Sequence, residues 1–328
     1  MRQILIRGPW GLGDNVYSRP FVRAAATKYE VWLDTPWPEL YEDIDIRFVR
    51  GARGLRTQTK NVVLQSEDRW SRPPPAIREM HIHYANLAAS SIIRSLEQRW
   101  KMKLGVGFNP ALFDLPDMGP SPVVSDRPIA VIRPPTLRTE WCNPARNPKP
   151  EYIVALAAEL MATHTVVAVA DLEPDREWLV GTLPPAHHHF VFGELKVREL
   201  LALVRDADIA IGGVGWLVPA GLALKTNTWI VLGGNGGHNA PEKITDPRLD
   251  LSRIGFAMPE RFCRCTHMPH ACDKTIADPL GQFARWTAAR RAADRLDWFA
   301  DAVHGSRQRG SGNTDRAHPH GATPAARD

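Results

Sequence analysis

Short apolar runs alternate with segments of helical period along most of this chain, and no other feature limits its fold as strongly. In the first third, 4–6, 30–33, 46–49 and 62–65 read as strands, with a turn or short helix at Thr35-Pro-Trp-Pro. The stretch 84–101 has helical length, with Leu87, Ile92, Leu96 and Trp100 at helix-compatible spacing. A stretch rich in proline, from Asn109-Pro to Arg127-Pro, interrupts the pattern. Strands then recur at 129–132, 165–170, 189–192, 208–211 and 228–232, with helices at 151–161, 173–179, 196–205 and 218–224. Strands separated by helices in this way form parallel sheets covered on both faces. The expected class is α/β, with two Rossmann-like domains whose parallel sheets face an interdomain cleft. Residues 1–125 make the first and 126–280 the second, and the proline-rich stretch has the composition of a linker. A helix over 281–304 follows, able to place Phe283, Trp286, Ala289, Ala293, Leu296 and Phe299 on one face. The tail 305–328, rich in Gly, Ser, Arg, His and Pro, is expected to be disordered.

Composition narrows the function classes. No apolar run approaches the ~20 residues that span a bilayer, and the N-terminus enters a strand pattern at once. The expectation is a cytoplasmic chain without a signal peptide. Net charge is +5, distributed as +4 over 1–125, −1 over 126–304 and +2 over the tail. That bias is too small to argue for nucleic-acid binding by the whole chain. One local run stands out: Arg47, Arg50, Arg53, Arg56 and Lys60 occur with no acidic residue from Arg47 through Ser66. It reads either as a solvated loop or as a contact surface for an acidic or phosphorylated partner.

Glycine marks the places where backbone could meet a ligand. The first strand runs into a turn carrying Gly8, Gly11 and Gly13, and Asp14 opens the following helix. Glycines there let amides approach a ligand, and the helix start adds partial positive charge. Asp14 either caps that helix or faces a ligand at the carboxyl end of the sheet. Gly212, Gly213 and Gly215 leave a later strand for an apolar helix, and Gly233-Gly-Asn-Gly-Gly-His238 follows the next strand. Two such loops in one domain suit a nucleotide diphosphate, whose oxygens take backbone amides. In the same domain, the long loop after 129–132 carries Arg133, Thr136, Arg138, Arg146 and Lys149, four of them cations able to neutralise phosphate. The tract Cys263-Arg-Cys265-Thr-His267-Met-Pro-His270-Ala-Cys272 is dense enough in Cys and His to be a weak metal candidate through Cys263, Cys265 and Cys272. Its Cys-x-Cys spacing is not that of a standard finger, and reduced thiols in a stabilising loop are the other reading.

The opening Arg-Gly-x-x-Gly-x-Gly-Asp, the Pro-Phe-Val-Arg-Ala of the first helix and Ala207-Asp-Ile-Ala-Ile-Gly-Gly-Val-Gly resemble glycosyltransferase family 9. This is the ADP-heptose:lipopolysaccharide heptosyltransferase group, of GT-B fold. Loop 134–150, running into Lys149-Pro150, is similar to the family's donor-side loop, and the Cys tract to cysteine-bearing segments late in many members. The similarity covers most of 1–280 in order. It implies an inverting, metal-independent sugar transfer in the cytoplasm, at the inner membrane face where the acceptor is membrane-borne. No cofactor is required beyond a nucleotide-diphosphate sugar donor, with an ADP-sugar among the candidates. By the same resemblance Asp14 is the general base for an acceptor hydroxyl. The donor is held by Thr136, Arg138, Lys149, Gly212, Gly213, Gly215, Gly236, Gly237 and His238. The acceptor, a lipopolysaccharide core or other anionic glycan, meets Gly11, Gly13, Arg47, Arg50 and Arg53. Where the family has Asp-Thr-Gly-x-x-His, this chain reads Gly213-Val-Gly-Trp-Leu-Val218, without the acidic residue and the histidine. Two other functions fit the same fold. One is sugar transfer to hydroxylated DNA bases, with 47–60 and the tail on phosphates; the other is non-catalytic nucleotide or carbohydrate binding. A dehydrogenase fits less well, because Gly8-x-x-Gly11-x-Gly13 lacks the dinucleotide spacing.

Overall fold

The computed structural model describes residues 1–51, 54–87, 89–267 and 270–309, with side chains up to residue 294. The first sheet is built from β1 (Arg2–Arg7), β2 (Tyr29–Asp34), β3 (Arg47–Val49) and β4 (Arg78–His81) in the order β3-β2-β1-β4, every pair parallel. Helices α1 (Leu12–Ala26), α2 (Arg56–Val63) and α3 (Ile92–Leu104) connect it. The second half carries β5 (Ile129–Arg133), β6 (Thr136–Arg138), α4 (Pro150–Leu160), β7 (Thr165–Val169), β8 (Glu177–Leu179) and β9 (His188–Phe190). It continues with α5 (Val197–Asp206), β10 (Ile209–Gly212), α6 (Leu217–Leu224), β11 (Thr228–Val231), α7 (Gly236–Asn239), α8 (Pro241–Ile244) and β12 (Ile254–Ala257). Its main sheet runs β12-β11-β10-β5-β7-β9, again all parallel, and β6 pairs antiparallel with β8 beside it.

Parallel pairing follows from the apolar runs, because each central strand is covered on both faces. Ile4, Leu5 and Ile6 are fully buried, as are Ala130, Val131 and Ile132. Helix α1 turns Val16, Tyr17, Phe21, Val22 and Ala25 inward. It also buries Arg19 completely, and that charge is satisfied by Asp43 at 2.6 Å, Asp114 at 3.2 Å and the Leu40 carbonyl at 2.6 Å. The two sheets share apolar packing: Phe21, Leu96 and Trp100 belong to one cluster with Leu201, Ala202, Ala220 and Ala223 of α5 and α6. Residues Met1–Phe283 accordingly form one compact unit holding both sheets, and a second unit starts at Ala284 within α9 (Pro279–Arg309).

Several expected elements differ. The segment 62–65 is not a strand; 62–63 close α2, where Gln58, Asn61 and Val62 share a buried face and Asn61 donates to the Pro36 carbonyl at 2.7 Å. Residues 173–179 make no helix, because Asp175 at φ 62° turns the chain back so that β8 pairs with β6. The third helix begins at Ile92 rather than residue 84, where the Ser91 hydroxyl accepts the Arg94 amide, and it ends on Gly105 at φ 63°. Strands β4, β6 and β12 were not expected. Helix α9 continues five residues past 304; the rest of the expected tail, 310–328, and the side chains of Leu296 and Phe299 lie outside the described residues. Among the described residues, no helix is long and apolar enough to cross a membrane.

Candidate active site

A cavity of about 880 Å3 lies between the two halves, lined in the first by the loops and helices that follow β1, β2, β3 and β4, and in the second by strand ends that include Arg133 of β5 and Val169 of β7. Its first wall starts at β1. Gly11 precedes α1 without a side-chain cap, and Asp14 sits in the first helical turn. The Asp14 carboxylate accepts the Tyr84 hydroxyl and a backbone hydrogen bond from Gly11, and it also faces the cavity. The capping and ligand-facing readings of Asp14 thus describe one geometry. Burial pushes the Asp14 carboxyl above the usual carboxylate range, against the opposing pull of Tyr84 and of the Arg146 charge. Tyr84 comes from the loop before α3, a segment the sequence pattern assigned to a helix.

The opposite wall is cationic. Arg133 at the end of β5, Arg138 at the end of β6 and Arg146 in the loop before α4 all line the cavity. Arg146 stacks on Trp141, 4.8 Å from guanidinium carbon to ring centroid, and its Nε has no hydrogen-bond partner among the described residues. Among the described residues none of the three arginines makes an ion pair with a carboxylate. Burial and the neighbouring Arg133 charge push the Arg146 guanidinium down to about 10, and burial also lowers Arg133. Crowded guanidinium groups with no carboxylate at contact distance, facing only the more distant charges of Asp14 and Glu177, create a demand for an anion, and their planar donor forks match phosphate oxygens.

The other expected donor residues separate into two groups. Thr136, Gly215 and His238 line the cavity with Arg138. The Thr136 hydroxyl donates to Glu177 at 2.8 Å, whereas the His238 Nδ1 atom has no hydrogen-bond partner among the described residues. Lys149 is outside the lining and donates to the Thr275 hydroxyl at 3.2 Å; Arg146, three residues earlier, reaches the cavity instead. Gly212 and Gly213 also lie outside it, pressed against Arg133 and Pro148. Gly236 and Gly237 were expected to offer free amides, and here the structure corrects the sequence reading. Their N–H groups donate to the carbonyls of Cys263 at 2.8 Å and Cys265 at 3.0 Å, and the 262–266 segment packs where their Cβ atoms would be.

Of the residues expected to meet an acceptor, Gly11 and Gly13 line the cavity. Arg47 and Arg50 do not: Arg47 pairs with Glu30 at 3.4 Å and lies over Trp32, and Arg50 pairs with Glu67 at 2.5 Å. Arg53 falls outside the described residues. Arg56 and Lys60 point from α2 to the other half, Arg56 to Asp171, Glu173 and Glu177, and Lys60 to Asp171 and the Gly193 carbonyl. The basic run is therefore mostly engaged internally and is not an open anion surface.

The cysteine tract converges. Ligand atoms of Cys263, Cys265, His270 and Cys272 all lie within 4.8 Å of one another, and His270 is the member the sequence reading left out. The Cys265–Cys272 sulfur separation is 3.6 Å, Cys263–His270 3.6 Å and His270–Cys272 3.2 Å. Metal–thiolate bonds of about 2.3 Å in a tetrahedron set sulfur–sulfur edges of about 3.7 Å, so this donor set fits one ion of the zinc or iron type.

No protein-family model and no curated protein sequence matches this chain. Solved structures do match. The dodecameric iron-containing heptosyltransferase TibC, in complex with ADP-D-β-D-heptose, superposes with a TM-score of 0.60 at 15% identity, over 88% of this chain and 77% of that one. Escherichia coli ADP-heptose lipopolysaccharide heptosyltransferase II gives a TM-score of 0.58 at 13% identity, over 89% and 99%. The chain has the GT-B-like fold of heptosyltransferases. In this heptosyltransferase-like fold the two parallel sheets lie on either side of the cavity that holds Asp14 and the arginines. Tyr84 and Trp141 were absent from the sequence-derived site, and Arg146 was named there only as one loop cation among several. Only the density of arginine after β5 pointed toward this wall.

Proposed function

We propose that this chain is a glycosyltransferase that moves a sugar from a nucleotide-diphosphate donor to an acceptor hydroxyl. One observation carries the reading: a half-buried carboxylate and three arginines that make no ion pair with a carboxylate among the described residues share a single cavity. Asp14 takes the proton of the acceptor hydroxyl as that oxygen attacks the anomeric carbon, and a carboxyl raised by desolvation is a stronger base than one in water. Arg133, Arg138 and Arg146 meet the negative charge that grows on the departing diphosphate. His238 offers an unpartnered ring nitrogen to the nucleotide or sugar. Attack from the Asp14 wall on a donor held at the arginine wall gives inversion at the anomeric carbon.

In this reading 1–125 receive the acceptor and 126–280 the donor. The two neighbours are described with ADP-heptose, which makes an ADP-sugar the first donor to test. Cys263, Cys265, His270 and Cys272 hold one metal ion, as the iron-containing neighbour suggests. The ion orders the loop around it, and proton removal and charge neutralisation belong to Asp14 and the arginines. The acceptor is a hydroxyl-bearing glycan brought to the cytoplasmic side. The engaged state of Arg47, Arg50, Arg56 and Lys60 argues against a DNA phosphate track.

The test is a panel of ADP-, UDP- and GDP-sugars, read by thermal shift and by mass-spectrometric detection of released nucleoside diphosphate. A ligand bound only by the folded state raises Tm, by about 2.7 kcal/mol of stability at a hundred times its Kd. The expected result is one nucleotide family that stabilises the protein and is slowly cleaved, with cleavage abolished in Asp14→Asn. Stabilisation without cleavage by any sugar nucleotide would identify a non-catalytic binding protein, and no stabilisation would refute the nucleotide-sugar reading.

A further inference from the structure

The loop at 233–239 joins two sites that the sequence treats separately. On one side, Asn235, His238 and Asn239 line the cavity, as does Thr266. On the other, the same loop is held by the backbone of the cysteine tract. The Gly236 amide donates to the Cys263 carbonyl and the Gly237 amide to the Cys265 carbonyl. The Asn235 side-chain amide, 2% exposed, donates to the carbonyls of Cys265 at 3.3 Å and His267 at 3.2 Å. Its side-chain oxygen accepts Asn239 at 3.0 Å. Cys272 fills the space where a Cβ on Gly234 would stand, and the Gly234 amide donates to the Ala145 carbonyl at 2.7 Å, next to Arg146. Lys274, two residues past Cys272, donates to the Pro144 carbonyl at 2.6 Å.

Two ligand residues, together with His267, thus supply acceptor carbonyls for this loop, and a third ligand residue supplies its packing. Little else orders the tract itself: it has no helix or strand among its described residues, and Cys263, Cys265, His270 and Cys272 lie on the surface or half-buried. Asn235 sits at φ 54°, in the left-handed region that asparagine adopts more readily than most residues, and in this conformation its side chain reaches the Cys265 and His267 carbonyls. We infer that a metal ion held by Cys263, Cys265, His270 and Cys272 acts as a brace for the 233–239 loop and the 143–147 segment, so that metal occupancy controls nucleotide-diphosphate binding in the cavity. The inference rests on the metal and donor readings given above. The ion acts through its ligands: fixing their side chains fixes the carbonyls at 263 and 265, and these fix the amides that set Asn235 and His238 against the cavity. With the ion gone, the three thiol groups and the imidazole have nothing to converge on, and those carbonyls lose their register with the loop.

The experiment combines metal analysis, amide hydrogen exchange and calorimetric titration of ADP on the purified full chain, before and after chelation, with His270→Ala and Cys265→Ser alongside. Cys142→Ser, at an exposed free cysteine outside the cluster, is the control. The expected result is an equimolar metal that chelation and both cluster variants remove, faster exchange in 233–239 and 143–147, unchanged protection in β7, and ADP affinity weakened by about 10–100-fold. A bound metal whose removal leaves loop exchange and ADP affinity unchanged overturns the brace alone. Loss of protection throughout β7 also overturns it, because the ion would then support the whole fold. Absence of metal, or a Cys265–Cys272 disulfide in its place, removes the metal reading and the brace together. A loop that loosens on metal removal in a protein that binds neither ADP, UDP nor GDP keeps the metal as a structural brace of the loop, and refutes both the nucleotide donor and the control of its binding.

Discussion

The Tyr84 hydroxyl donates to the Asp14 carboxylate across 70 residues of sequence. That contact fixes one oxygen of the carboxylate and leaves the group on the cavity wall. Replacing Tyr84 by Phe removes a bond that favours the charged form, so the Asp14 carboxyl titrates at still higher pH. Tyr17 and Arg146 are the other groups coupled to it, and neither changes in the variant. A base must be deprotonated, so the acidic limb of the kcat/KM profile moves upward in pH for Tyr84→Phe. A pH series of donor cleavage reads this directly, and an unmoved limb would separate Tyr84 from the function of Asp14.

Asp14→Asn keeps the side-chain shape and an oxygen for Tyr84, so the fold persists while proton removal is lost. The expected fall in turnover is about 10²–10⁴-fold. Stability moves the other way. The folded-state carboxyl of Asp14 is raised above its unfolded value. Its favourable contribution is complete below the unfolded pKa and is lost as pH rises through the folded one. Asp14→Asn therefore melts above the wild type at neutral and alkaline pH, and this advantage vanishes in acid. Paired thermal melts at pH 4 and pH 8 check the sign.

Arg146→Ala removes one of the three arginines of the cavity wall that the proposed donor diphosphate would meet. Charge-assisted hydrogen bonds contribute about 1.5–3 kcal/mol, which corresponds to roughly 10–150-fold weaker ADP binding. Lys149→Ala changes affinity little, since that amine is held by Thr275 outside the cavity. Calorimetric titration of the two variants discriminates the wall with the arginine from the wall the sequence motif suggested.

Arg56 is 10% exposed and joins α2 to Asp171, Glu173 and Glu177. Truncation to Ala leaves the part-buried carboxylates of Asp171 and Glu177 without this cation and is expected to cost about 1–3 kcal/mol. The loss appears as a lower Tm and as faster amide exchange confined to α2. Exchange that quickens instead in the core strands would mean that Arg56 supports the whole fold.

Sequence periodicity reads well where burial on both faces selects the residues. The strands at β1, β2, β5, β7, β10 and β11 and the helices α1, α4, α5 and α6 come from unbroken apolar or periodic runs. It fails where tertiary partners decide. The segment Lys60-Asn-Val-Val-Leu-Gln has strand-like composition, yet Asn61 reaches Pro36 and Glu39 only from a helix. Strand β8 exists because β6 lies beside it, and neither is apolar enough to announce itself. Within the site, Asp14 is legible from its place after the glycines. Tyr84 and His270 are not, because the contacts that define them join segments far apart or lie in loops without period. The glycines at 236 and 237 mark a close approach, but sequence alone does not tell a protein carbonyl from a ligand oxygen as the thing approached.

Gly13 has a structural consequence of its own. A Cβ at this position would stand 3.0 Å from the Trp216 Cα atom and 3.3 Å from Pro219, so the start of α1 rests directly on the entrance to α6. Asp14 is the next residue, so its carboxylate sits beside this contact between the halves. Even a single methyl group at residue 13 would act as a wedge there, felt by α1 and α6 at once.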